Sequence, residues 1–352
     1  MPSPNHNELL SRRGFLGALG GSFLLAACTS SPSRSGSASS ASPKPSSPTA
    51  SSSNGNGSPS SSSPPEPTPS TASATAPAAN LPATTPWSAR PGEVRPDVKG
   101  RAVKLVEAVA TWPPGGEGVA AARARIAALG LDPALADSFG ALLGSGTAAV
   151  AQVVDAQYGG ILTSSSSVLV VVNQWRAQPD GSTTAGGTTL DIRLVAAQPQ
   201  WRVTEVHPAA PAAPSDALPT PASQALSNTR LHLPYAARAD VLGNSISGTV
   251  LGLLQALSQQ LVADVSILRS GHPLFVFGTS RPSDHPKGRA VDVWAIDGKP
   301  LVLPENHGLA VGLMRFAVAH GAYNVGGPVL LSGPAYFSDQ THQDHVHIGF
   351  TS

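Results

Sequence analysis

The sequence predicts an α+β protein built from two folded segments, and three observations predict it. Helical periodicity between residues 97 and 158 gives way to extended runs rich in Val, Thr and Trp. A Pro/Ala stretch at 208–222 then separates a second segment, in which helical stripes alternate with short apolar runs. The first 90 residues carry neither pattern. Helices followed by a run of strands imply a helix-plus-antiparallel-meander domain at 91–207, and the second segment, 223–352, reads as an antiparallel sheet with helices against it.

The elements follow in order. Ala102, Leu105, Val106 and Val109 recur at i, i+3, i+4, i+7, one face of a helix. A second helix covers Val119–Leu129 and stops at Gly130, a good residue for the left-handed position after a helix. Asp132-Pro133 reads as an N-cap and first helical position. Strands are expected at Val153–Leu162, Ser167–Ala177, Thr188–Ala197 and Trp201–His207, separated by turns such as Gln178-Pro179-Asp180-Gly181. In shape this order resembles the nuclear-transport-factor-2-like fold. The domain shows no titratable cluster; Asp155, Asp191 and Glu205 read as solvated, and Trp175 and Trp201 as packing residues. In the second segment Val250, Leu253, Leu254, Leu257 and Leu261 form a helical stripe from about Ser247. Strands follow at Asp264–Arg269, Leu274–Phe277 and Ala290–Ala295, then a helix at Leu309–His320 and a last strand at His345–Phe350.

Charge narrows the partners. The chain of 352 residues has 22 Lys+Arg against 21 Asp+Glu. The balance is local as well: eight basic and eight acidic residues from Ser223 on, ten and eleven between Trp87 and Ala222. Neither segment offers the basic face that a phosphate backbone requires, so nucleic acid is excluded as a partner. A single cysteine excludes a disulfide framework.

That cysteine belongs to an address. Arg12-Arg13 precedes a short apolar run, Phe15–Ala27, too short for the ~20 residues that a membrane span needs. Ser11-Arg12-Arg13-Gly14-Phe15-Leu16 resembles a twin-arginine export signal, and Leu25-Ala26-Ala27-Cys28 resembles a lipobox, which implies lipidation at Cys28 after removal of the leader. Residues 29–90, dominated early by Ser, Pro, Ala, Thr and Gly, read as a disordered tether. About 60 flexible residues span roughly 40–45 Å, enough to carry a folded domain from the membrane toward the cell wall. The expectation is an exported, membrane-anchored lipoprotein on the extracellular side.

Candidate chemistry sits in two short stretches. Six of the ten histidines lie at or after position 285. The first stretch is Ser283-Asp284-His285-Pro286-Lys287-Gly288-Arg289-Ala290-Val291-Asp292, and the second is His342-Gln343-Asp344-His345-Val346-His347-Ile348-Gly349-Phe350. On a strand His345 and His347 project to one side while Val346 and Ile348 face a core. Gly288 permits a tight approach of His285 to the strand that carries Asp292. A zinc ion accounts for such a set: it takes three nitrogen and oxygen ligands and keeps a position for water, whose pKa it lowers so that the water can attack an amide. A further His or carboxylate must move the proton.

The pattern S-x-H-x-x-G-x-A-x-D followed by H-x-H resembles the zinc peptidases of the D-alanyl-D-alanine carboxypeptidase, lysostaphin and hedgehog superfamily. The spacing of His342, His345 and His347 is also similar to that of penicillin-insensitive murein endopeptidases. The resemblance covers about the last 130 residues. It implies zinc ligands at His285, Asp292 and His347, with His345 as base or transition-state stabiliser. It also offers Asp344, three residues before the last ligand, as base or as the group that orients a histidine, and alternation places Asp344 on the opposite face unless the strand begins after it. Arg281 is the nearest candidate for the family's oxyanion-steadying arginine. His342 reads as a neighbour of the ligands, a substrate contact, or a residue of a solvated loop. The remaining readings are structural: His320 at a helix C-terminus, His307 opening the same helix, His272 as a turn residue, and Asp284 and Lys287 on a solvated rim. The function implied is a zinc metallopeptidase acting on peptidoglycan stem or cross-link peptides, as carboxypeptidase or endopeptidase. The alternative is a zinc-containing lipoprotein that binds a peptide or partner without turnover.

Overall fold

A computed structural model describes residues 81–352; the expected export signal, Cys28 and residues 29–80 of the expected tether lie outside the described residues. The end of the predicted tether is packed. Thr85 exchanges hydrogen bonds with the Gln152 side chain, the Trp87 N–H donates to Glu107, and Arg90 pairs with Asp155 at 3.1 Å.

Helix α1 (Pro96–Ala110) opens on a proline, whose missing N–H would have no helical partner there anyway. It buries the predicted stripe Ala102, Leu105, Val106 and Val109. Helix α2 (Gly118–Ala128) is followed by Gly130 at φ +65°. Asp132 accepts from the Ala134 N–H as expected of a cap, but the turn it starts is a short 3-10 helix, Pro133–Ser138. Strands β1 (Ala148–Ile161), β2 (Ser165–Ala177), β3 (Thr183–Val195) and β4 (Arg202–Pro208) form an antiparallel meander in that order. Val168, Val170 and Val172 of β2 face α1 and its core, which also contains Trp201.

The second part begins inside the expected linker, where Pro219 leads into α3 (Thr220–Ser227). It continues with β5 (Leu231–His232), α4 (Tyr235–Leu242) and α5 (Gly248–Ser258), whose first turn is capped by the Ser247 hydroxyl. Then come β6 (Ala263–Ile267), β7 (Ala290–Ile296), β8 (Lys299–Pro300), α6 (His307–Ala319), β9 (Asn324–Gly326), β10 (Tyr336–Phe337) and β11 (Val346–Gly349). The sheet runs β10-β9-β11-β7-β6-β5, with β8 paired to β7. Its centre is antiparallel as expected, whereas the edge pairs β5–β6 and β9–β10 are parallel. The expected strand at Leu274–Phe277 is instead a loop. Its backbone bonds within itself, Val276 N–H to Arg281 and Ser283 N–H to Leu274, and Leu274 is 68% exposed. His307 opens α6, and the His320 ring bonds to the Phe316 carbonyl at its end, as the sequence suggested. Among the described residues no helix is long and apolar enough to cross a membrane.

The two parts meet face to face within one compact unit. Leu169 and Val171 of β2 pack on Ile267 of β6, so the meander is covered on both faces. Two sequence expectations are corrected here. Asp155 and Asp191 are each only 3% exposed, because the polar face of the meander lies under the second sheet; Glu205, on β4, is exposed as expected. The front domain does hold a titratable cluster: Lys99, fully buried, pairs with both Glu93 and Asp344.

Candidate metal centre

Strands β7 and β11 lie antiparallel with His347 opposite Asp292. Opposed residues project to the same face with Cβ atoms about 4.5–5.5 Å apart, so register alone joins the two sequence stretches. His285 arrives from a 3-10 turn, His285–Lys287, that closes on Gly288. Gly288 has φ +68°, and a side chain there would collide with the Ser245 carbonyl, so the tight return requires glycine.

The His285 ring donates from Nδ1 to the Leu268 carbonyl at 2.7 Å. A carbonyl only accepts, so Nδ1 carries the proton and a neutral His285 presents a bare lone pair at Nε2. That atom lies 3.1 Å from Asp292 Oδ1 and 3.1 Å from His347 Nδ1. His347 Nδ1 is in turn 3.0 Å from Asp292 Oδ1. With His285 in that neutral form, three acceptor-type atoms share one small triangle, separated by at most one proton, on His347. A cation above the triangle with ligand bonds of about 2.0–2.2 Å would satisfy all three.

His272 adds a fourth group. Its ring stacks on His285 with centroids 4.1 Å apart. His272, His285 and Asp292 each bring one ligand atom within 4.8 Å of the others, so this group can hold a metal ion. The turn reading of His272 is corrected: Nδ1 does bond to the adjacent Pro273 carbonyl, but the ring lies in the site. It belongs to no spaced motif, which is why the sequence did not mark it. Asp240 of α4 shapes the chain just before it, accepting from the N–H groups of Arg269 and Ser270.

His345 stands beside the triangle, its Nε2 3.7 Å from Asp292 Oδ1. Its Nδ1 is bonded to Asp344 Oδ1 at 2.5 Å. Asp344 lies in the turn before β11 with near-helical dihedrals, so strand alternation does not govern it. Its other oxygen takes Lys99 Nζ at 2.6 Å and the Tyr158 N–H at 3.2 Å. Both Asp344 oxygens are therefore engaged, and His345 Nε2 is the atom that faces the triangle.

Charge is arranged to match. Burial opposes ionisation of Asp292, but His285 and His345 outweigh it and hold the carboxyl well below its usual range. Burial lowers His347 to about 4, with the neighbouring His285 adding to the shift, so it is neutral at physiological pH, as a ligand must be. Burial also works against charge on His345, yet Asp292 and Asp344 together push it up to about 9. A cation beside Asp292 would offset the first of these attractions. Asp344 sits at about 2: burial would raise it, and Lys99 and His345 bring it down.

His272, His345 and His347 line a cleft of about 440 Å³, while His285 and Asp292 are buried and do not line it. Arg281 and His342 both line it. Arg281 is exposed, while His342 is held by Asp339 at 2.7 Å and sits edge-on to Phe337. One wall is the end of β1, Tyr158 to Ile161. Asp284 is not a solvated rim residue: it is buried between Arg289 and the Tyr323 hydroxyl, which donates to it at 2.6 Å. Lys287 is exposed as expected. Comparison with protein-family models, with curated proteins and with solved structures finds no match.

Proposed function

We propose that the protein is a zinc metallopeptidase of the cell envelope that hydrolyses amide bonds in peptidoglycan peptides. The observation that carries this reading is the convergence of His285, Asp292 and His347 within 3.0–3.1 Å beside a cleft that His345 and His347 line. Two imidazoles and one carboxylate are a donor set suited to zinc, and a zinc ion held there would supply an activated water and polarise a substrate carbonyl. His285 is held in the ligating tautomer by Leu268, and His347 is kept neutral by burial. His345, steered by Asp344, presents Nε2 to the reacting centre and can take or return a proton there. Arg281, on the cleft wall, would steady developing negative charge on the substrate oxygen.

The substrate class rests on the N-terminal sequence. A twin-arginine signal, a lipidated Cys28 and a Ser/Pro tether would hold the domain outside the membrane within reach of the wall. The test is digestion of purified peptidoglycan with and without chelator, with products read by mass spectrometry. Chelator-sensitive release of terminal D-Ala identifies a carboxypeptidase, and loss of cross-linked dimers an endopeptidase. An unchanged digest at every metal loading overturns the peptidase reading.

A further inference from the structure

The meander domain reaches into the metal centre through one side chain. Gln157 of β1 is fully buried, and its Nε2 donates to Asp292 Oδ2 at 2.6 Å. A carboxylate only accepts, so the amide nitrogen must face it, and the amide oxygen is left for the Ser266 hydroxyl of β6, which donates to it. Strand geometry explains the reach. Ala156 and Tyr158 face the front core, so Gln157, between them, points to the other face, where the second sheet lies. Register shifts at Val153/Asp155 and at Tyr158/Gly160 bracket this segment, and such bulges re-aim side chains.

We propose that Gln157 is a positioning residue for the metal centre: by occupying Oδ2 of Asp292 it leaves Oδ1 alone to face His285 and His347. The inference rests on the metal-site reading above and adds a role for the front domain, which completes the carboxylate's surroundings across the domain interface. Asp292 is 1% exposed, so without Gln157 its second oxygen would be a buried charged atom lacking its side-chain donor. That oxygen would then be free to turn toward the cation and change the coordination. Hydrogen-bonding partners of metal ligands typically account for about 10–100-fold in affinity.

The test uses the full exported chain, loaded with zinc or cobalt(II). Gln157→Met keeps the length of the side chain and removes the donor; Gln157→Asn keeps the amide but is too short to reach. Zinc affinity is measured by competition with a chelating dye, the cobalt(II) absorption bands at saturation, and folding by circular dichroism of the metal-free protein. The expected result is a native-like fold, zinc affinity weakened about 10–100-fold, and shifted cobalt bands. Gln152→Leu, on the same strand but bonded to Thr85, should leave both readouts unchanged. A folded Gln157 variant with wild-type affinity and wild-type bands overturns the proposal while the metal site stands. If Gln157→Met does not fold, the same two readouts on Gln157→Asn decide. If His285→Ala binds zinc as tightly as the wild type, the metal reading itself falls, and this inference with it.

Discussion

The two domains supply different layers of one site. The second domain contributes every atom of the triangle: His285 and Asp292 from the first stretch, His347 from the second. The front domain contributes no atom to the triangle, yet it contacts both carboxylates behind it. Gln157 holds Asp292, while Lys99 and the Tyr158 N–H hold Asp344. Candidate ligands are concentrated in short local patterns, because a metal needs few atoms of specific type. The layer that orients those ligands is recruited from whatever packs against them. Here that is a sheet whose polar face would otherwise be wet.

Substitutions can break this comparison, beginning with the ligand layer. His285→Ala should remove zinc and abolish turnover together, a larger loss than the roughly 10²–10⁴-fold that deletion of a proton-transfer group costs. Metal content and rate, measured on one sample, check it, and intact turnover would defeat the ligand assignment. Next, His345→Ala should retain zinc and lose about 10²–10⁴-fold in rate. Loss of zinc in that variant would move His345 into the ligand set.

The Lys99 cluster of the front domain should register more in stability than in metal content. Lys99→Met leaves Glu93 and Asp344 as buried carboxylates without their cation, at a cost of about 3–5 kcal/mol in urea unfolding. Adding Asp344→Asn should recover part of that cost, and the coupling in the double-mutant cycle measures the pair across the interface. A purely additive cycle would mean that Lys99 acts within its own domain. The smallest expected effect is on pH dependence. Burial, opposed by Lys99, pushes the Glu93 carboxyl up to about 7. The unfolded chain releases that proton nearer pH 4.3, so it binds fewer protons than the folded state across this window. Stability should therefore fall as pH rises from about 4.5 to about 7, and Glu93→Gln should flatten that slope in thermal melts. A slope that survives the substitution would assign it to another group.

Much of the fold was legible. The α1 stripe, the four-strand meander, the helix that follows Ser247, α6 and the strand pair that carries Asp292 and His347 all stand where periodicity put them. The errors cluster where a residue answers to a distant partner. Asp155 and Asp191 look solvated on an alternating strand, and only the second sheet makes them buried. One sequence signal of that cover exists: Val168-Leu169-Val170-Val171-Val172 is apolar on both faces of β2, the mark of a strand buried on both sides. His272 carries no such signal, since a His beside a Pro is ordinary turn composition.

By itself, then, the sequence pointed to His285, Asp292 and His347 as candidate ligands and put two of them, Asp292 and His347, on strands. Residue type and period-2 alternation are local properties, legible without a partner. The tertiary structure decided the rest. It set the register that faces His347 to Asp292, brought His272 over His285, turned Asp344 away from the triangle and onto Lys99, and inserted Gln157 from another domain. Those are contacts between residues far apart in the chain. They depend on how two sheets pack, which no short stretch of sequence encodes.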